Sequence, residues 1–278
     1  MKPHHLIVPF LLGQRRDGLC RVRDVDSHAW EIVEAPEFAE ISIADANEKI
    51  RRMAKIYALL SDTVEKAVNS GSVPVSVAGD CVSTLGVLGG LQKAGKPPDR
   101  ILWLDAHGDF HTWGTTHTKY LGGMPLSMLV GRSDRRQGNR NAIAALVTTI
   151  GVKPFPEEKI LLSDARDLDP GELEELQRSD IVTCSIADIV KHLDPNETLY
   201  LHFDTDVIDA EPQAPALKYH VKKGPGFAEM HRLFRDLRHH NIVAVSVSAW
   251  HEEKDLDNTT AIACLNLLKE LELDASPS

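Results

Sequence analysis

Apolar residues fall along the chain in short blocks, and the spacing inside each block separates strands from helices. Mostly apolar runs at His5–Phe10, Val73–Val77, Arg100–Leu104, Leu199–Phe203 and Ile242–Val247 predict buried strands, with shorter ones at Ile160–Ser163 and Asp180–Cys184. From Ala44 to Asn69 the pattern changes. Ile50, Met53, Tyr57, Leu60, Val64 and Ala67 step by three and four, which predicts an amphipathic helix. Further helices are expected at Ser83–Lys93, Gly171–Arg178, Phe227–Arg238 and Thr259–Leu271, with Asn258 as N-cap of the last. The polar stretch Arg132–Arg140 reads as a solvated loop. Strands alternating with helices imply an α/β protein with a parallel sheet covered on both faces, and ligands in such folds sit beyond the carboxyl ends of the strands.

Composition narrows the class of partner. The 278 residues are 42% hydrophobic, and no Pro/Gly/Ser-rich linker interrupts them, so one domain over 1–278 is expected. A net charge of -10 argues against a phosphate-neutralising surface, so no nucleic acid is expected, and it suits a cationic or zwitterionic small molecule. The apolar run near the N-terminus is too short for a signal peptide. No stretch reaches the roughly 18–20 apolar residues that span a bilayer, so no membrane partner is expected. Cys20, Cys81, Cys184 and Cys264 form no C-x-x-C pair, which fits neither a zinc ribbon nor a disulfide framework. A cytoplasmic location is the expectation.

Candidate chemistry sits just past three of the predicted strands. In Leu104–Thr112 (LDAHGDFHT), Asp105, His107, Asp109 and His111 alternate at spacing two, so an extended chain would point them the same way. One such residue would be ordinary loop chemistry; four in alternation point to metal binding. In Leu201–Pro215, Asp204 and Asp206 repeat the spacing, with Asp209 three further on. Carboxylates held this close repel each other unless a cation lies between them. In Val75–Gly86 (VSVAGDCVSTLG), Cys81 lies at the mouth of a predicted helix, where the helix N-terminus is expected to lower the thiol pKa and favour a thiolate ligand.

These three segments, in this order, resemble the signatures of the arginase/agmatinase (ureohydrolase) family, with the similarity running from about residue 73 to 270. The resemblance implies a three-layer α/β/α fold around a mostly parallel eight-stranded sheet. It also implies two Mn²⁺ ions per chain. Cys81, Asp105, Asp109 and Asp204 would hold the first, and Asp105, His107, Asp204 and Asp206 the second. Asp105 and Asp204 would bridge the pair. The ions would activate a water oriented by Asp109, so that Asp109, Asp105 and Asp204 carry catalysis. Oxygen-rich ligation with few imidazoles suits Mn²⁺ on chemical grounds. Ser163–Glu175 (SDARDLDPGELEE) resembles the arginase version of the family, and there the residues matching Asp169, Glu172, His111 and Thr118 read the amino-acid end of the substrate. A homo-oligomer is compatible with the resemblance, and the sequence leaves the oligomeric state open.

Three positions depart from the family pattern. The usual histidine is Cys81, a soft ligand that should leave the first manganese site weak. The proton-shuttling histidine is replaced at Gly122, in YLGGMPL, and the glutamate that pairs with the guanidinium is replaced at Ser248. A strongly basic guanidinium needs those groups; a neutral N-hydroxyguanidine does not, and its hydroxyl would bond to Ser248 or to a metal. The cysteine resembles the branch that hydrolyses Nω-hydroxy-L-arginine to hydroxyurea and L-ornithine, associated with D-cycloserine, an antibiotic. The sequence therefore predicts a hydrolase of linear amidines with that substrate. The alternatives are an arginase or other guanidino hydrolase, or a non-catalytic ureohydrolase-like binding protein.

Overall fold

The computed structural model describes residues 2–38, 43, 45–132, 137–209 and 213–274. Its strands are β1 (Pro3–Val8), β2 (Phe10–Leu11), β3 (Gln14–Arg15), β4 (Trp30–Ile32), β5 (Val73–Ala78), β6 (Arg100–His107), β7 (Ile160–Asp167), β8 (Val182–Cys184), β9 (Thr198–Asp204) and β10 (Asn241–Ser248). The α-helices are α1 (Val22–Val25), α2 (Ala46–Asn69), α3 (Thr84–Lys93), α4 (Pro125–Leu129), α5 (Gln137–Ile150), α6 (Pro170–Gln177), α7 (Phe227–Leu237) and α8 (Thr259–Lys269).

Eight strands form one sheet in the order β4-β1-β5-β10-β9-β6-β7-β8, and every neighbouring pair is parallel. Alternating side chains divide the core in two. Ile101, Trp103 and Tyr200 face the layer that contains α2 and α3, while Leu102, Leu104, Leu201 and Phe203 face the layer of α7 and α8. This is the three-layer α/β/α arrangement the strand–helix alternation requires. The connection from β5 to β6 skips two positions, which β9 and β10 later fill. The four central strands thus end side by side at the carboxyl edge, where the chain order reverses.

Helix α2 is long because its apolar stripe is continuous and Asp45 accepts a hydrogen bond from Glu48 N at 2.8 Å, closing the first turn. It also supports the carboxyl edge. Tyr57, wholly buried on α2, donates to both oxygens of Asp80 at 2.7 Å, and Asp80 further accepts from Leu12 N and Val82 N. Asp80 therefore pins the turn that follows β5.

Some expectations change. Strand β4 was not predicted, because three residues on a sheet edge carry no readable period. The expected loop Arg132–Arg140 gives way to α5 from Gln137, while 133–136 lies outside the described residues. Arg132 is not solvated either: it donates to Glu157 at 2.5 Å and to Glu175 at 2.9 Å. Asn258 does not cap α8 with its side chain, since its backbone is left-handed (φ 59°) and its amide oxygen accepts from Arg21. Asp255 does that work instead, accepting from Thr260 N at 2.9 Å and Ala261 N at 2.8 Å.

Candidate metal centre and its pocket

Six polar side chains converge where the central strands end. Strand β6 supplies Asp105 and His107, and the residues at the end of β9 supply Asp204 and Asp206. The turn after β5 brings Cys81, and the end of β10 brings Ser248. All of them line one cavity of about 240 Å³, together with Asp109, His111, Thr118, Asp169 and Glu172. Every residue the sequence assigned to the site therefore lies in a single pocket. Asp209 does not. It faces His220, with a 2.9 Å contact, and stands outside the lining.

The spacing-two repeat works through tight turns. Asp105 Oδ1 accepts from His107 N at 2.7 Å, and Asp204 Oδ1 accepts from Asp206 N at 2.9 Å. Each aspartate thus folds the backbone so that the second ligand returns beside the first. The expected alternation stops at His107. Asp109 adopts a left-handed φ of 50°, and this turn directs its carboxylate back inward. Gly108 permits the turn, because a Cβ there would stand 2.8 Å from the carboxyl carbon of Glu172. Glu172 in turn accepts from Phe110 N at 2.8 Å, so one of its oxygens braces the turn.

The electrostatics are those of a site short of positive charge. Asp105, Asp109, Asp204 and Asp206 are all buried. Burial, then repulsion from Asp105 and Asp204, pushes the Asp109 carboxyl far up; burial, then Asp204 and Asp105, does the same to Asp206. Asp204 is raised to about 6 by burial and by Asp105. Burial also acts upward on Asp105, but hydrogen bonding and charge from His107 outweigh it and bring the group down. Burial opposes a charged His107, yet Asp105 and Asp206 push it up to about 12. A divalent cation would relieve this strain.

The donor set fits such an ion. One ligand atom each from Asp105, His107 and Asp206 lies within 4.8 Å of the others, and Asp109 Oδ2 is buried with no hydrogen-bond partner. Cys81 differs from expectation. Burial, then the charges of Asp204, Asp109 and Asp105, pushes its thiol well up rather than down, and Sγ donates to Asp204 Oδ2 at 2.8 Å. The helix N-terminus does not win because a 3-10 turn, Cys81–Ser83, separates Cys81 from α3 and three carboxylates stand closer.

Above this floor is the rim. His111 Nε2 meets Asp169 Oδ2 at 3.1 Å, and exposed Thr118 stands at the mouth. The absence of a side chain at Gly122 has a local reason. A Cβ there would stand 2.7 Å from Tyr120 Cζ and 2.9 Å from its hydroxyl, so the tyrosine ring fills that space. Tyr120 and Tyr219 share a 2.8 Å hydrogen bond across the opening.

Sequence reasoning missed four members of the neighbourhood. Tyr120 and Tyr219 carry no motif. Lys218 is 4% exposed, lines the pocket and donates from Nζ to Gly79 O at 2.9 Å. Burial pulls its pKa down, against the opposing charges of Glu252, Asp204 and Asp80. The fourth, His202, had a visible signal: a histidine inside an apolar strand, two residues before Asp204 and hence on the same strand face.

Fold and floor together define a parallel α/β protein with a cluster of buried carboxylates, able to hold a cation, at the carboxyl edge of its sheet. The chain belongs to the arginase family, whose model matches residues 16–273. It is 26% identical over 208 residues to an arginase of Glaciozyma antarctica, covering 69% of this chain and 58% of that protein. It is 27% identical over 202 residues to the N(omega)-hydroxy-L-arginine amidinohydrolase of Streptomyces lavendulae, covering 70% of this chain and 66% of that protein. The chain thus spans less than two thirds of the length of these curated relatives. Among solved structures, arginase from Bacillus caldovelox superposes with a TM-score of 0.80 at 23% identity over all of both chains. Entamoeba histolytica arginase in complex with L-ornithine gives 0.79 at 20% identity over 98% of each.

Proposed function

We propose that this protein is a manganese-dependent hydrolase of Nω-hydroxy-L-arginine. Water adds at the guanidino carbon, the bond from that carbon to the side-chain nitrogen breaks, and the nitrogen leaves with a proton. The products are hydroxyurea and L-ornithine. Mn²⁺ held by Asp105, His107, Asp204 and Asp206, with Asp109 and Cys81 beside them, would supply the activated water. Asp109, whose Oδ2 has no other partner, accepts the water's proton. Asp169, His111 and Thr118 hold the amino-acid end of the substrate at the rim, with Glu172 bracing the turn beneath them.

The observation that carries this reading is the company kept by Ser248. A neutral hydroxyl lines the pocket at the end of β10, and the buried ammonium of Lys218 lines the same pocket. A guanidinium ion entering there meets a serine at the end of β10, which offers no charge to pair with it. A neutral N-hydroxyguanidine meets a hydrogen-bond partner. The rim agrees, because burial first and Tyr219 second push the Tyr120 phenol up, so it keeps its proton and does not stand in for a titrating shuttle at Gly122. The second reading, an arginase, is favoured by relatives of that name at similar identity, such as the arginase of Brevibacillus brevis at 27% over 202 residues.

The test is a side-by-side assay of L-arginine, Nω-hydroxy-L-arginine and agmatine with added Mn²⁺. The expected result is a kcat/KM for hydroxyarginine at least about tenfold above that for arginine, equal to about 1.4 kcal/mol of transition-state discrimination. An equal or higher value for arginine overturns the substrate assignment in favour of the second reading.

A further inference from the structure

Beneath the carboxylate floor, a second set of ligand atoms converges. Cys81, Asp105 and His202 each offer one ligand atom, all within 4.8 Å of one another, and all three residues are buried. His202 is 0% exposed. Its Nδ1 lies 2.8 Å from Ser246 Oγ, which is itself 2.7 Å from the Tyr200 hydroxyl, while Nε2 has no partner. A buried imidazole nitrogen without a hydrogen bond has lost its water without replacement, so a partner for it is expected. The arrangement resembles a metal-binding histidine, whose far ring nitrogen is normally fixed by such a bond.

Asp105 has an oxygen available on each side. Its Oδ1 accepts from His107 N, whereas its Oδ2 accepts from Trp103 Nε1 at 3.1 Å. The Trp103 ring leans on His202, with centroids 4.1 Å apart. Oδ2 therefore faces the His202 side and Oδ1 the His107 side. Asp204 Oδ2 already touches Cys81 Sγ, so a fourth ligand is in place.

We infer that Cys81, His202, Asp105 and Asp204 form a buried zinc site, which shares Asp105 and Asp204 with the manganese ligands around His107 but differs from them in its thiol and second imidazole and in its metal preference. Cysteine stands where the family resemblance puts histidine, and His202 returns an imidazole from the strand beneath. A thiolate with an imidazole selects Zn²⁺ over Mn²⁺, and Zn²⁺ takes such ligands tetrahedrally at about 2.0–2.3 Å. The edges of that tetrahedron are about 3.4–3.6 Å, within reach of small side-chain movements from the observed separations. On binding, the Cys81 proton that now bridges to Asp204 leaves to solvent, and the sulfur donates its electron pair to the ion. The inference rests on the reading that Asp105 and Asp204 are metal ligands, but not on the choice of substrate.

Cobalt reports the site directly, because Co²⁺ replaces Zn²⁺ and its thiolate charge-transfer band appears only with a sulfur ligand. Metal-free protein titrated with Co²⁺ should develop that band, with the d–d bands of four-coordinate cobalt, at one ion per chain, and Zn²⁺ should erase both. His202→Gln should weaken this binding at least about tenfold, and Ser246→Ala, which keeps every ligand, by about 10–100-fold. His107→Ala should leave the band intact while removing manganese. Absence of the band in the unmodified protein, with manganese still bound, overturns the zinc site and spares the manganese reading. An unchanged cobalt affinity in His202→Gln also overturns it, and so does failure to bind any ion, which sinks both readings. Failure to hydrolyse hydroxyarginine with the band present leaves the zinc site standing.

Discussion

The floor and the rim of the pocket are built by different means. On the floor, three of the four aspartates are tied to backbone: Asp105 to His107 N, Asp204 to Asp206 N, and Asp206 to Ala106 N at 3.2 Å. The Ala106 and His107 peptides belong to β6, whose parallel register fixes it against β7 and β9, and the Asp206 peptide belongs to the 3-10 turn directly after β9. On the rim, side chains hold side chains: His111 meets Asp169, and Tyr120 meets Tyr219. Asp169 and Tyr219 are exposed, the latter at 54%. The floor can hold mutually repelling carboxylates at short range because the sheet prevents their separation. The rim has no such restraint, which suits a surface that must admit and release a molecule.

The largest expected effect comes from breaking the floor. Asp204→Ala removes the carboxylate shared between the two metal groups, so bound manganese should fall to background and activity by at least about 10³-fold. The fold should survive. Asp204 sits at about 6 rather than near 4 because burial and Asp105 disfavour its charge, so its removal relieves repulsion in the metal-free protein. Metal content, hydrolysis rate and Tm of the metal-free variant check the three parts. Full metal content with full activity would remove the floor from the mechanism.

A smaller effect is expected where rim meets substrate. Asp169→Ala deletes a carboxylate proposed to grip an amino group, so KM should rise with about 1–3 kcal/mol of lost charge-assisted bonding. Manganese content and kcat should stay near their original values. A fall in metal content instead would show that the rim organises the floor, and the separation between the two would fail.

The same contrast decides what was legible in the sequence. The central strands were readable because long apolar runs carry a clear period, and the floor was readable because Asp and His follow those runs at fixed spacing. Asp109 was found for a partly wrong reason: its alternation is broken by a left-handed turn that nothing in LDAHGDFHT announces. Lys218 and Tyr120 were illegible, since a loop residue's position depends on what it packs against far away, Gly79 for one and Tyr219 for the other. His202 stood in plain view as a lone histidine in an apolar strand, two residues before Asp204, but that alone does not mark a ligand. Its free nitrogen is a tertiary fact. Asn258 shows the reverse, a residue of good capping composition whose role is taken by Asp255, three positions earlier.

The smallest effect should come from the tyrosine pair, and it sharpens the comparison most. Tyr120→Phe keeps the ring that fills the space beside Gly122 and deletes only the hydroxyl bonded to Tyr219. Such a bond contributes about 0.5–1.5 kcal/mol, and Tyr219 is exposed enough for water to replace the lost partner, so the lower end applies. The expected result is a change in KM of about two- to fourfold, with unchanged manganese content and an unchanged pH profile. Loss of the ring is a different matter. Tyr120→Ala opens the wall beside Gly122, and a drop in Tm should accompany its rise in KM. If Tyr120→Phe alone lowers kcat by orders of magnitude, or shifts the pH profile, then the phenol moves a proton in the reaction. The rim would then share in the chemistry here assigned to the floor.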